Sequence, residues 1–161
     1  TSTKAILLRQ TLAGVPVAEA EAAAERLAGW TRWNRPILDA LKAHQDAGRR
    51  IVVATGALAL YMPVLLRGLG VDDLLATGLE EEDGILTGHM KGGNCVRAMK
   101  AQRVSAYLHH HGPFGETWGY GNRPSDVPML ALLNSSRSPS RKGSFRRSRM
   151  RSARAVAFSA P

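Results

Sequence analysis

Four apolar residues in a row, Ile51-Val52-Val53-Ala54, run straight into Thr55-Gly56. The run is rich in β-branched side chains, which suits a strand. It lacks the alternation of a half-solvated strand, so both of its faces should be buried, as in a parallel sheet covered by helices. Few architectures meet that demand in 161 residues, enough for one domain with a real core and too few for two.

The rest of the chain reads in the same sense. Residues 17–28 are dominated by strong helix formers, and Gly29 closes them. Their apolar content is mostly alanine, so this helix offers no large core face. A second helix begins near Asn34 and Pro36, a capping residue followed by a proline tolerated in a first turn. Ile37, Leu38 and Leu41 share its apolar face, and Gly48 is placed to end it. Residues 57–69 read as helical, with Pro63 in a first turn or at a kink. Residues 71–77 form a strand candidate, and 79–90 a hairpin turning at Asp83-Gly84. A helix over 95–108, a strand over 116–120 and a helix opening at Pro128 complete the pattern. Strands alternating with helices argue for an α/β sandwich with a mainly parallel sheet. Ligands in such folds sit beyond the carboxyl ends of the strands, where Thr55, Gly121 and Asn122 fall.

From Asn134 the pattern collapses into a low-complexity stretch of Arg, Ser and Pro, expected to be disordered. The formal charge of +9 resides there. Residues 1–133 hold 14 Lys and Arg against 13 Asp and Glu, whereas residues 134–161 hold eight bases and no acid. The distribution argues against nucleic acid as a partner of the folded part. Three readings of the tail stay open: electrostatic binding to nucleic acid, an inert extension, or an out-of-frame reading of a downstream gene. No apolar run approaches the ~20 residues of a membrane helix, and the first residues do not form a signal peptide. The single cysteine, Cys95, fits a reducing cytoplasm. Neither it nor His109-His110-His111 has the spacing of a metal site, and Glu80 to Asp83 reads as a solvated turn.

Three stretches occur in a telling order. They are Ile51 to Gly56, then Leu86-Thr87-Gly88 through Asn94-Cys95 to Lys100, then Gly119-Tyr120-Gly121-Asn122-Arg123-Pro124-Ser125-Asp126-Val127-Pro128-Met129-Leu130. In order and spacing this set resembles the haloacid dehalogenase superfamily, in particular its phosphoserine-phosphatase-like branch. The resemblance implies a Rossmannoid three-layer sandwich (residues 34–133) carrying the remnant of a helical cap (residues 1–33) and followed by the basic tail (residues 134–161). It also implies a Mg²⁺-dependent phosphomonoester hydrolase acting through an aspartyl-phosphate on a small phosphorylated substrate. Thr55 and Gly56 would bind the phosphate, Lys100 would face both phosphate and nucleophile, and Asn122 and Asp126 would hold the metal. In isolation, Thr55 reads equally as a helix cap and Asn122 to Asp126 as a turn.

Two departures matter. The first position of the metal motif, usually Asp in that family, is Asn122 here, an oxygen donor without charge. The family's Asp-x-Asp motif, source of nucleophile and general acid, has no counterpart upstream of Thr55. Glu19, Glu21, Glu25 and Asp39 all lie in helix patterns. The expectation is a truncated chain, starting at Thr1 rather than Met and lacking the first, central strand of its sheet. That strand would stand between residues 51–54 and 116–120, and without it those two must close the gap or leave two buried edges unpaired, a costly arrangement. A chain so cut would be inactive. The alternatives are a non-catalytic phosphate-binding protein and nucleic-acid binding through the tail.

Overall fold

Ile51, Val52, Val53 and Ala54 are all buried, as a strand covered on both faces requires. They lie in β1 (Arg50–Leu58), against which α3 (Arg35–Asp46) and α5 (Arg97–His111) both pack. The computed structural model describes residues 2–121, 123–139, 145–147 and 153–159. The remaining elements are α1 (Thr3–Leu12), α2 (Val17–Ala28), α4 (Met62–Leu66), β2 (Asp73–Glu82), β3 (Ile85–Lys91), β4 (Glu116–Gly121), α6 (Val127–Leu130), β5 (Ser135–Pro139), β6 (Phe145–Arg147) and β7 (Ala153–Ser159). A 3-10 turn at Pro124–Asp126 leads into α6. None of the described helices is long and apolar enough to cross a membrane.

The strands form one sheet in the order β3-β2-β1-β7-β4-β5-β6. β1 pairs parallel with β2 and β4 with β5, and because β7 runs antiparallel to both β1 and β4, these four strands share one direction. The core gathers Val52 and Ala54 of β1, Val104 and Tyr107 of α5, Tyr120 of β4 and Met129 and Leu130 of α6. This is the mixed α/β, Rossmannoid architecture that the sequence pattern implies.

Local signals account for several elements. Asn34 caps α3, its side chain accepting from the Ile37 amide at 3.3 Å. β2 and β3 turn at Asp83-Gly84, both with positive φ, the geometry that favours a two-residue hairpin. The helix expected over 57–69 contracts to α4, because β1 continues to Leu58 to meet Thr77 of β2.

The larger difference lies beyond Asn134, where the sequence led to an expectation of disorder. The described residues there are strands, β5, β6 and β7, and the rest of that stretch lies outside the described residues. β7 enters the gap between β1 and β4, pairing Val52 with Val156 on one side and Gly119 with Val156 on the other. The physical reason is the one that made an empty gap costly: buried peptide groups on both edges must be paired. Ala155-Val156-Ala157-Phe158 is the apolar stretch of the tail able to stand there.

Helix α1 had no clear sequence signal, since it buries only Leu8. Ser2 caps it, accepting from the Ala5 amide at 3.3 Å. It lies directly on β3 at Gly88, where a Cβ would meet the Arg9 Cα at 2.8 Å and the Leu8 carbonyl at 3.1 Å. Gly88 also has φ +78°, which an L side chain adopts only under strain. Gly88→Ala should therefore lift α1 from the sheet and destabilise the fold by about 2 kcal/mol. Urea denaturation measures the loss, and faster proteolysis within residues 3–12 locates it. An unchanged midpoint with unchanged proteolysis would mean that α1 does not dock there.

Candidate active site

The carboxyl end of β1 is where regular pairing stops. Ala54 pairs with Leu75 but Leu58 pairs with Thr77, so β1 holds two extra residues and bulges over 55–57. Thr55 therefore lies inside a strand, not at the start of a helix, which removes the helix-cap reading. Its Oγ1 accepts from the Ala57 amide at 3.1 Å. Gly56 passes close to the loop ahead of α5, and a Cβ there would sit 2.5 Å from Val96 Cγ1. Only glycine lets the backbones approach so closely.

Three side chains to which the sequence assigned no role organise this bulge. Thr77, fully buried in the middle of β2, accepts from the Cys95 amide at 3.0 Å. Its hydroxyl has one proton, shared in alternation between the Gly56 carbonyl and Asn94 Oδ1, both 3.1 Å away. Lys4 of α1 donates to the Gly56 carbonyl at 2.5 Å, to Asn94 Oδ1 at 2.9 Å and to Thr77 Oγ1 at 3.2 Å. Burial pulls its ammonium below the usual lysine range, partly offset by the charge of a Cys95 thiolate. Cys95 is itself a buried thiol pushed up by desolvation, against the opposing charges of Arg103 and Lys100.

Lys100 sits in the first turns of α5 and is buried despite its charge. Its partner is Asp126 at the end of the 3-10 turn, also buried, and the two form a direct ion pair. Of the residues expected at the site, these two are thus brought into contact. Thr55 and Gly56 lie against the loop of Asn94 to Val96 that leads into α5. Asn122 falls outside the described residues.

Other contacts fix the elements that carry these groups. Arg103 of α5 donates to the carbonyls of Ala76, Gly92 and Gly93. His44 of α3 braces β4. The Arg49 guanidinium can only donate, so His44 Nδ1 accepts from it at 3.1 Å, and Nε2 donates to the Tyr120 hydroxyl at 2.6 Å. Arg49 also lies over the Trp118 ring, 3.9 Å from its centre. At the amino end of the strands, Asp73 accepts from Arg50 and from Tyr107 at 2.9 and 2.6 Å. Burial together with the bond to Asp73 pushes the Tyr107 phenol up to about 12. Burial raises Asp73 as well, but the bonds from Tyr107 and Arg50 outweigh it and hold the carboxyl below its ordinary value.

The donor set at Asp126 bears on a metal. No group of three or more acids, histidines or cysteines suited to a metal gathers among the described residues. A carboxylate has two oxygens, however, and Lys100 engages Oδ1. The other oxygen suits a hard cation, and magnesium is held through one or two carboxylates while keeping several waters.

The buried pair also has a stability signature. Lys100→Met leaves the Asp126 carboxylate buried without its cation and should cost about 3–5 kcal/mol, whereas Lys100→Met with Asp126→Leu should cost distinctly less. Thermal and urea unfolding of the single and double variants measure the difference. Equal losses in both would show that the two groups are not coupled.

Comparison with known proteins follows this geometry. The sequence profile of the haloacid dehalogenase-like hydrolases matches residues 2–131. Protein CicA of Caulobacter vibrioides is 31% identical over 136 residues, covering 81% of this chain and 60% of that protein. A probable phosphatase of Mycobacterium tuberculosis is 29% identical over 96 residues, 59% of this chain and 33% of that protein. The chain thus spans at most about three fifths of the length of these curated relatives. Among solved structures, a probable phosphoserine phosphatase from Vibrio cholerae superposes with a TM-score of 0.63 at 18% identity, over 79% of this chain and 38% of that one. At that identity the likeness is one of fold.

Proposed function

Because the chain belongs to the haloacid dehalogenase-like hydrolases, we propose that it carries most of the site of a phosphomonoester phosphatase acting on a small phosphorylated substrate. The observation that carries the reading is the buried contact of Lys100 with Asp126, beside a bulge that presents Thr55 and Gly56. A buried lysine–carboxylate pair contributes little net stability, so it is better explained by chemistry than by folding. The phosphatase named among the curated relatives and the phosphoserine phosphatase named among the structures support the same direction. Residues 1–33 are, on this reading, the remnant of a cap over the site.

Phosphate esters hydrolyse so slowly that catalysis must supply very large transition-state stabilisation, mostly by position and charge. The Thr55 hydroxyl donates its proton to a phosphoryl oxygen, which can only accept, while one of its lone pairs accepts from the Ala57 amide. The bare backbone of Gly56 lets that oxygen come close. Lys100 places positive charge toward the phosphoryl group while Asp126 keeps it oriented. Asp126 and Asn122 would hold Mg²⁺, which when bound neutralises charge on the phosphoryl oxygens.

What the chain lacks is a nucleophile. No Asp-x-Asp occurs anywhere in its sequence, and no acid precedes Thr55 at the end of a strand. These 161 residues by themselves therefore bind phosphate without turning it over. With p-nitrophenyl phosphate and Mg²⁺ the isolated chain should release no nitrophenol above background. Joining a strand that ends in Asp-x-Asp to its N-terminus, in a chain cut after Leu133 so that the place taken by β7 is open, should produce release that Thr55→Val and Lys100→Met each reduce by about 10²-fold or more. Turnover by the isolated chain, abolished by Thr55→Val, would overturn the claim of inactivity. No effect of either substitution on the joined chain would overturn the site.

A further inference from the structure

Lys4 stands apart from every other lysine of the described chain. Its three ammonium protons meet three neutral oxygens, from Gly56, Asn94 and Thr77, and no carboxylate is among these partners. It belongs to α1, yet each partner lies on the sheet or on the loop ahead of α5. The contact with the Gly56 carbonyl matters most, because of what lies on the other side of that peptide. The bond between Gly56 and Ala57 is trans, so its C=O and N–H point in opposite directions. With the carbonyl fixed on Lys4, the Ala57 N–H is aimed away from Lys4, and there it donates to Thr55 Oγ1 at 3.1 Å. That bond in turn occupies a lone pair of the hydroxyl and leaves its proton to be given outward.

We propose that Lys4 is a positioning residue that sets the Thr55 hydroxyl as a donor through the Gly56–Ala57 peptide, so that docking of α1 and readiness of the phosphate site are one event. This rests on the phosphatase reading, in which Thr55 binds a phosphoryl oxygen. Thr77 shares in the arrangement by donating to the same carbonyl, but it belongs to the sheet and is present whether or not α1 is docked. Lys4 is the part of the arrangement that arrives with the helix. The lowering of its pKa by burial accords with an ammonium drawn into this cluster rather than left in solvent.

The test uses the whole chain, inorganic phosphate as probe, and amide NMR of Ala57 together with calorimetric affinity. Lys4→Met should weaken phosphate binding by about tenfold and should shift the Ala57 amide and speed its exchange, while Lys4→Arg, which keeps donors for the carbonyl, should restore affinity to within about threefold of the parent. Should Lys4→Met fail to fold, Lys4→Gln takes its place: its amide is uncharged and one bond shorter than the lysine ammonium, so a smaller loss of phosphate affinity with the same shift of the Ala57 amide is expected, and neither change would overturn the role. A variant that loses thermal stability but keeps parental phosphate affinity and an unchanged Ala57 amide would overturn the positioning role, leaving Lys4 as an anchor of α1. Failure of the parent chain itself to bind phosphate, with no response at Thr55 or Gly56, would overturn the phosphate reading on which the inference rests. The parent and the variants therefore report the two failures separately.

Discussion

A strand buried on both faces has no water to satisfy its peptide groups, and the pairing of β1 on both edges is the constraint on which the rest of this structure depends. β2 serves one edge in parallel register and β7 the other in antiparallel register. β4 faces the same demand and meets it with β5 and β7. The position between β1 and β4 is thus taken by the stretch of the C-terminal region whose side chains tolerate burial. The same pairing explains why the site lies where it does. Between Ala54 and Leu58 the ladder skips, and the peptide groups of residues 55–57 are released from the sheet. Those released groups make the bonds to Lys4, to Thr77 and to Thr55 itself. The site is built from the backbone that the sheet does not use.

Charge at the site is arranged by two different rules. Lys100 is neutralised directly by Asp126, and both are removed from water. Such a pair gains in Coulomb attraction roughly what it loses in desolvation, so its survival points to a use beyond stability. Lys4 instead keeps its charge among neutral oxygens. An ammonium of that kind favours an anion nearby, and it carries this preference to the bulge on a helix that buries only one of its own residues. Docking of α1 consequently rests on polar contacts at one end and on close backbone packing against Gly88 at the other, with little hydrophobic area between.

How much of this was legible in the sequence follows from how far each signal reaches. The unbroken run at Ile51, the Asn34 cap, the Asp83-Gly84 turn and the alanine-rich helix of residues 17–28 depend on neighbours in the chain, and each stands where the pattern placed it. α1 escaped because its face is set by β3 rather than by its own periodicity. β5, β6 and β7 escaped because a strand made of Arg, Ser and Ala announces nothing until two unpaired edges require it. Thr55, Gly56, Lys100, Asn122 and Asp126 were named through the family resemblance, and of these Lys100 and Asp126 are in direct contact. Lys4 and Thr77 were not named, and Asn94 only as part of a stretch without a role of its own, because the bonds of Lys4 span 52, 73 and 90 residues and no local motif marks them.

The distinction between holding a phosphate and cleaving it is then a matter of which free energies the chain can supply. Hydrogen-bond donors and cations placed around the phosphoryl oxygens stabilise substrate and transition state alike unless a nucleophile makes the transition state accessible. The donors here are carried on rigid elements: a bulge held by two side chains, a lysine fixed in a buried pair, a helix start braced by Arg103. Each is held by contacts that involve no nucleophilic carboxylate. On the proposed reading the arrangement can therefore persist without that carboxylate. A site whose binding parts and reacting part sit on separate segments can lose the second while the first stay folded, because the sheet pairing that holds them makes no use of the nucleophile's side chain.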